Sequence, residues 1–499
     1  MKTRFKNAET GNVTSMITNF SLVFLFIIIF LTMGVAKADE KSQQLVDRVI
    51  TAYGGDKLTN LKSLRVVDKT QSFSYGQSSM ADDIDNELNQ TSVTLDLHNQ
   101  HIDYRRVRGN KSHFTIEHQL FDGNKGLSID HAMRTVEQNE GITYFNADRS
   151  QHLNLDTALV LLLHKQREQA EYAGTAYYLG ELHDKLSFQA KGYPQMTLLI
   201  NQRSGYIGKM MQAHWLEGQF FNYHFSDMKQ SKGIYYASRT YVSGDNKPLE
   251  LTVARKVEFN LDTTHSFTPP TDYAVKGQSI DFSKLEATKL ADNIYLAGSN
   301  WGFSVFIDTG EYFAAAGGYF QLGKRFEAVK KLANVDKPLK YLVVSHHHSD
   351  HLSGMKEAAA LGASFITVKA HIDAIREAAE VELPDNRFVI VDEKGSFAEG
   401  KLQVLDFASS HSNHNLLTYF TDAKLLFSAD LFASHQPTGA PRGSKALINV
   451  KAKLADAGFE VSHFAAAHSG RVLTAADFNQ SIKSFTPQLC PKDWEICHN

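Results

Sequence analysis

The sequence predicts a protein of two domains: an antiparallel, β-rich α+β domain followed by an α/β domain of layered sheets and helices. Three observations carry this. At 499 residues the chain is too long for one ordinary core, and at roughly 100–200 residues per domain it suits two or three. From Ser63 to about Tyr144, and again from Tyr177 to Phe259, short alternating stretches such as Ser92-Val93-Thr94-Leu95-Asp96-Leu97 repeat between turn signals. From about Ala287 the grammar changes, and strand-like runs alternate with helical ones. The expected divisions are a leader over 1–38, a β-rich domain over 39–270, a linker over 271–286, the α/β domain over 287–478 and a tail over 479–499.

The leader has a basic start (Lys2, Arg4, Lys6), an apolar run Leu22–Val35 and the small-x-small triplet Ala36-Lys37-Ala38. The run is shorter than the roughly 20 residues of a membrane-spanning helix, so the expectation is a cleaved secretory signal and a periplasmic or secreted protein. Leu45, Val46, Val49, Ile50 and Tyr53 then recur at helical spacing up to Gly54-Gly55, and Thr157–Ala170 reads as a second helix. Met196–Asn201 and Gln219–Phe225 read as strands, with turns at Arg203-Ser204-Gly205 and Gly244-Asp245-Asn246. Thr268-Pro269-Pro270-Thr271 marks the boundary. Beyond it come strands Asn293–Ala297 and Ser304–Ile307, helix Lys324–Ala333, strand Tyr341–Val344, helix Met355–Leu361, strand Ser364–Val368 and helix His371–Ala379.

Composition excludes several classes. Hydrophobic content of 42% and charged content of 21% rule out a disordered or collagen-like chain. A net charge of −3 gives no electrostatic reason for a nucleic-acid partner, so a small-molecule substrate is expected. The sequence is silent on oligomeric state. The two cysteines, Cys490 and Cys497, both lie in the tail, where an oxidising compartment would bridge them. They stand far in sequence from the histidine motifs, which argues against a thiol nucleophile.

The chemistry concentrates at Ser345-His346-His347-His348-Ser349-Asp350-His351, directly after the apolar run Tyr341–Val344. Residues at a strand's C-terminal end line the crevice where α/β folds bind ligands. Imidazole and carboxylate are metal donors, and the His-x-His-x-Asp-His spacing turns alternate side chains toward one metal and the adjacent pair toward a second. His347 points the other way. His435 and Arg442, in the Gly/Pro-containing stretch 435–444, are the candidate substrate contacts.

These residues resemble the signature of the metallo-β-lactamase-fold hydrolases, a superfamily of αββα sandwiches. Three further motifs stand downstream in the family's order: Phe407–Tyr419 around His411, Leu425–Asp430, and Ala467-His468-Ser469-Gly470-Arg471. The resemblance implies His346, His348 and His411 as ligands of one metal, Asp350, His351 and His468 as ligands of the other, and Asp430 as the bridge. His414 and His463 are the nearby rivals of His411 and His468. It also implies two zinc ions, with iron and manganese as the other metals of suitable chemistry. A water shared by the two metals would give hydroxide at neutral pH, Asp350 would orient it, and an ester-, lactone- or amide-like bond would be cleaved. Phe313–Gly318 stands where the family usually places an acidic residue, and Ala433 where cysteine-ligated lactamases carry lysine, so drug hydrolysis is a minor expectation. The first half resembles lipoprotein-carrier-like half-barrels through Ala52-Tyr53-Gly54-Gly55, Leu61–Arg65 and the strand–turn–strand Met196–Met210. That resemblance implies a lipid or envelope component as a partner. Two competing readings follow: a lipid- or lipoprotein-binding protein with a structural metal domain, and a mononuclear iron enzyme that oxidises sulfur.

Overall fold

The computed structural model describes residues 40–499 apart from 111–112, 146–152, 214–219, 245, 301, 491, 493 and 495–499. The expected signal segment lies outside the described residues. By their contacts the described residues form two compact units that interleave in sequence, one drawn from 1–60 and 155–237 and the other from 61–154 and 238–499.

In the first unit the helix Glu40–Tyr53 buries the face Leu45, Val46, Val49, Ile50 and Tyr53, as its 3.6-residue spacing requires. The Tyr53 hydroxyl donates to Asp156 Oδ2 (2.7 Å), which begins the almost wholly buried helix Asp156–Lys165. That helix is shorter than the sequence suggests. Gln166 leaves helical geometry, a 3₁₀ turn covers Arg167–Gln169, and Ala170 opens a strand. The polar run Gln166–Gln169 continues the helical pattern in composition only. Five strands follow as antiparallel neighbours: Ala170–Tyr178, Glu181–Phe188, Met196–Asn201, Ile207–Ala213 and Phe220–Ser231.

The second unit opens with an antiparallel meander of Ser63–Ser74, Asp85–Asp96, His101–Asn110, His113–Phe121, Gly126–Asp130 and Thr135–Gln138. Lys247–Phe259 pairs on the other side of Ser63–Ser74. Ser63–Ser74 and Asp85–Asp96 stay in register from Ser63↔Asp96 to Ser74↔Asp85, which leaves 75–84 as the connecting loop at one end. That loop bears on the site.

Two more sheets complete the unit. The first runs Glu286–Ala291, Ile294–Ser299, Gly302–Asp308, Phe313–Ala316, Leu339–Val343, Ser364–Thr367 and Phe388–Ile390, antiparallel through Phe313–Ala316 and parallel after it. The second runs Lys394–Phe397, Leu402–Phe407, Asn415–Phe420, Leu425–Phe427, His463–Ala465 and Leu473–Thr474. Side chains alternate between faces along each strand, so each sheet feeds two cores. Val305, Ile307, Val343 and Ile366 of the first sheet share one core with Val404, Leu416, Phe420 and Phe427 of the second. Phe306, Leu342 and Phe365 point the other way, onto Phe326, Val329, Met355 and Ile375 of helices Leu322–Ala333, Met355–Ala360 and Ile372–Ala379. Leu417, Leu426 and Phe464 likewise meet Leu447, Val450 and Phe478 of helices Lys445–Asp456 and Ala475–Lys483. Among the described residues, no helix is long and apolar enough to cross a membrane.

Candidate metal centre

The parallel strand Leu339–Val343 ends just before Ser345, and the chain stays extended until the short helix Ser349–Leu352 begins after His348 (φ −61°, ψ 142°). Extended backbone alternates its side chains. His346 and His348 therefore share one side, and His347 turns away to place Nδ1 3.4 Å from Ser412 Oγ. His411 follows the strand Leu402–Phe407 in a loop pinned by Asn415, whose amide donates to Phe407 O (3.0 Å) and Ser412 O (2.7 Å). Asp430 follows the strand Leu425–Phe427 after Ala429, which is held at φ +48°. Left-handed backbone at a non-glycine residue costs about 1–3 kcal/mol and concentrates at functional sites. His468 follows His463–Ala465, with Ala467 N bonded to Ala429 O (3.0 Å).

Strand ends from both sheets thus bring seven side chains into two adjoining clusters: His346, His348, His411 and Asp430, and Asp350, His351 and His468. Within each cluster the donor atoms all lie within 4.8 Å of one another. The Asp430 carboxylate is divided between them. Its Oδ2 lies 2.9 Å from His411 Nε2 and 3.7 Å from His346 Nε2, while Oδ1 lies 2.8 Å from His351 Nε2 and 3.3 Å from His468 Nε2. Asp350 Oδ2 stands 3.7 Å from His351 Nε2 and 3.6 Å from His468 Nε2.

The protonation states suit a metal. Burial holds His346 well below the usual histidine range and His348 down to about 4, so both are neutral donors at neutral pH. Burial alone would raise the Asp430 carboxyl, but His351 together with hydrogen bonds from His351, His411 and His468 outweighs it and keeps Asp430 ionised. Neutral imidazole and carboxylate are the forms a metal requires. His348 supplies a direct test of fit: its Nε2 donates to Ser78 O (2.9 Å), while its buried Nδ1 has no hydrogen-bond partner among the described residues. A backbone carbonyl that fixes one ring nitrogen as the donor leaves the other as a lone pair for a metal. The residues fit a metal cofactor.

Three supports escaped the sequence reading. The loop 75–84 reaches the centre: Ser78 O also accepts from His347 Nε2 (2.9 Å), Gln77 Nε2 donates to Asp350 Oδ1 (2.9 Å), and Gly76 O accepts from Ser349 N (2.8 Å). Ser345 Oγ lies 3.0 Å from His351 Nδ1, which leaves Nε2 to face the cluster. Tyr319 is buried, and its hydroxyl lies 2.8 Å from Asp350 Oδ2 and 2.9 Å from both His351 Nε2 and His468 Nε2. Gly317-Gly318 just before it was the one local signal. At Gly318 an added Cβ would stand 2.2 Å from Met355 Cε and 2.7 Å from His351 O, so only glycine permits this close approach.

The rival histidines stand apart from the clusters. His414 Nδ1 is bonded to Asp406 Oδ2 (2.6 Å), and His463 is exposed at the start of its strand. Asp350 is no helix cap, because it lies inside Ser349–Leu352 with its carboxylate on Gln77 and Tyr319. Neither expected substrate contact is a member of the clusters. Arg442 is exposed and bonds Gln488 (3.2 Å), since the loop carrying it is drawn against the C-terminal helix through Ser481 and Pro441. His435 is half-buried, its ring tilted against Phe282 (5.9 Å) and its carbonyl taking Ile280 N (2.7 Å). Cys490 is disulfide-bonded, while Cys497 lies outside the described residues.

Residues 304–457 match the family model described as ODP family beta lactamase. Similar solved structures include DIM-1 metallo-beta-lactamase, at 13% identity and a TM-score of 0.34 over 40% of this chain and 96% of that one. A metallo beta lactamase from Hirschia baltica matches at 18% identity and a TM-score of 0.32, over 41% and 99% of the two chains. The flavodiiron protein from Giardia intestinalis matches at 17% and 0.32, over 40% of this chain and 58% of its own. No curated protein matches the chain. The family match encloses every member of the two clusters except His468, so the segment 304–457, similar to the metallo-β-lactamase superfamily, is the one that carries them.

Proposed function

We propose that the protein is a dinuclear zinc hydrolase built on the αββα metallo-β-lactamase sandwich and acting on an ester-, lactone- or amide-like small molecule. The observation that carries this reading is the division of the Asp430 carboxylate, with Oδ2 toward His346 and His411 and Oδ1 toward His351 and His468. A single carboxylate shared in this way suits two ions better than one. When bound, the ions supply Lewis acidity toward a carbonyl and lower the pKa of water toward about 7.

The remaining work falls to the chain. His346, His348 and His411 would hold one ion, Asp350, His351 and His468 the other, and Asp430 both. Asp350 has a second task. Its Oδ1 is fixed by Gln77 and its Oδ2 faces the second cluster, so the carboxylate is set to orient the attacking water. Ser78 O and Ser345 Oγ fix the rings of His348 and His351, so that little reorganisation is needed at the reactive geometry.

A hydrolysis screen over ester, lactone, β-lactam and phosphoester substrates tests the reading, with zinc-loaded protein and His348→Ala as the blank. Turnover in at least one class that vanishes in the blank is expected. Equal turnover in both proteins, or none in any class, would set the hydrolase reading aside. Metal analysis of the purified protein separates zinc from iron, which the same donors also suit.

A further inference from the structure

We infer that Tyr319 is itself a ligand of the second metal, its phenolate oxygen completing a five-donor site with Asp350, His351, His468 and Asp430. The inference rests on reading both clusters as metal sites and adds a donor that the histidine motifs do not contain.

The geometry is that of a coordination shell. Two donors each about 2.0–2.1 Å from one ion lie roughly 2.9–3.4 Å apart at right or tetrahedral angles. Tyr319 Oη lies 2.8 Å from Asp350 Oδ2, 2.9 Å from His351 Nε2 and 2.9 Å from His468 Nε2. Asp430 Oδ1 lies 2.8 Å from His351 Nε2 and 3.3 Å from His468 Nε2. These separations suit neighbouring corners of one coordination shell that includes the phenol oxygen, with Asp350 Oδ2 set wider, 3.7 Å from His351 Nε2 and 3.6 Å from His468 Nε2.

The approach is built, not incidental. Gly317 (φ +97°) and Gly318 turn the chain down onto the Ser349–Leu352 segment, and a Cβ at Gly318 would meet His351 O at 2.7 Å. The ring can therefore sit beside His351, with centroids 4.7 Å apart. A second observation concerns charge. Arg325 is 1% exposed, and its three guanidinium nitrogens have no hydrogen-bond partner among the described residues. It stands 5.9 Å from the Tyr319 ring centroid. Glu357 is the first anion acting on this buried cation, and a phenolate at Tyr319 would add a second negative group beside it.

Coordination exchanges the phenol O–H bond for an O–metal bond, and the proton leaves to solvent. Zinc titration of the whole chain tests this, followed by ultraviolet difference absorption for tyrosinate, by calorimetry in buffers of different ionisation enthalpy to count protons, and by metal analysis. Wild type should bind two zinc ions, with a tyrosinate signal that grows only with the second. Tyr319→Phe should fold, show no such signal, release about one proton fewer and hold the second ion at least tenfold more weakly. Iron(III) loading gives an independent readout: a phenolate-to-metal charge-transfer band present in wild type and absent in Tyr319→Phe. Two zinc ions bound by wild type without a tyrosinate signal would overturn the inference and leave the dinuclear reading standing. One ion in wild type but two in Tyr319→Phe would also overturn it, because the phenol would then be blocking the second site. A chain that binds no metal in either form overturns both.

Discussion

Gly76 meets the centre from a strand connection some 270 residues upstream, its carbonyl accepting from Ser349 N, and its replacement has a calculable cost. Gly76 sits at φ +63°, and a Cβ there would stand 3.2 Å from Ser349 Cβ. Gly76→Val places a β-branched side chain in left-handed backbone, at roughly 1–2 kcal/mol, and adds a contact against the helix that carries Asp350. The loop relieves both by withdrawing, which pulls Ser78 O from His348 and Gln77 from Asp350. Loss of such a partner behind a metal ligand typically costs 10–100-fold in metal affinity, or about 1.4–2.7 kcal/mol. Competition with a chromogenic chelator should show the first zinc bound at least tenfold more weakly, with Gln77→Leu weakening mainly the second. A Gly76→Val protein that melts earlier yet binds zinc as tightly as wild type would refute the reasoning, since the loop would then be packing and not support.

The ligand assignment predicts that His346→Ala or His411→Ala mainly empties one site, and His351→Ala or His468→Ala the other, as read by metal stoichiometry. Asp350→Asn should lower kcat on any identified substrate by at least about 10²-fold, or about 2.7 kcal/mol of barrier, with substrate affinity far less affected. An Asp350→Asn protein that turns over normally would remove Asp350 from the role of orienting water. A pH effect is expected away from the centre. Burial first, then His118 and Arg105, lower His131 from 6.5 to about 4 in the folded protein. The unfolded chain therefore takes up that proton first, so this residue leaves stability untouched above pH 6.5 and lowers it progressively down to about pH 4, below which its effect is constant. Denaturant melts of His131→Asn should show a shallower decline across that window.

The residues that the fold gathers into the two clusters were legible in the sequence because their arrangement is local. An apolar strand followed by alternating extended residues orients His346 and His348 together whatever surrounds them. The choice of His411 over His414 becomes physical in the fold, where Asp406 holds the His414 ring. What stayed hidden depends on distant chain segments or on backbone atoms. Ser78 acts through a carbonyl, which every residue has, and Gln77 reaches Asp350 only because two paired strands place their connecting loop there. Tyr319 reads as one more aromatic in an apolar stretch until the glycines before it are seen to press the chain against His351. Arg442 reads as a substrate contact from the Gly/Pro-containing stretch it stands in, and what the sequence does not show is its bond to Gln488. Helix Asp156–Lys165 ends early for a similar reason, since the polar residues after it keep the composition of a helix while the backbone has already begun a strand.

The central claim is a pair of metal ions bridged by Asp430, and anomalous diffraction at the zinc edge from zinc-loaded crystals tests it most directly. Two peaks about 3.5–4 Å apart are predicted, one among His346, His348 and His411 and the other among Asp350, His351 and His468, with Asp430 touching both. A single peak, or two peaks with Asp430 bound to only one, would contradict it.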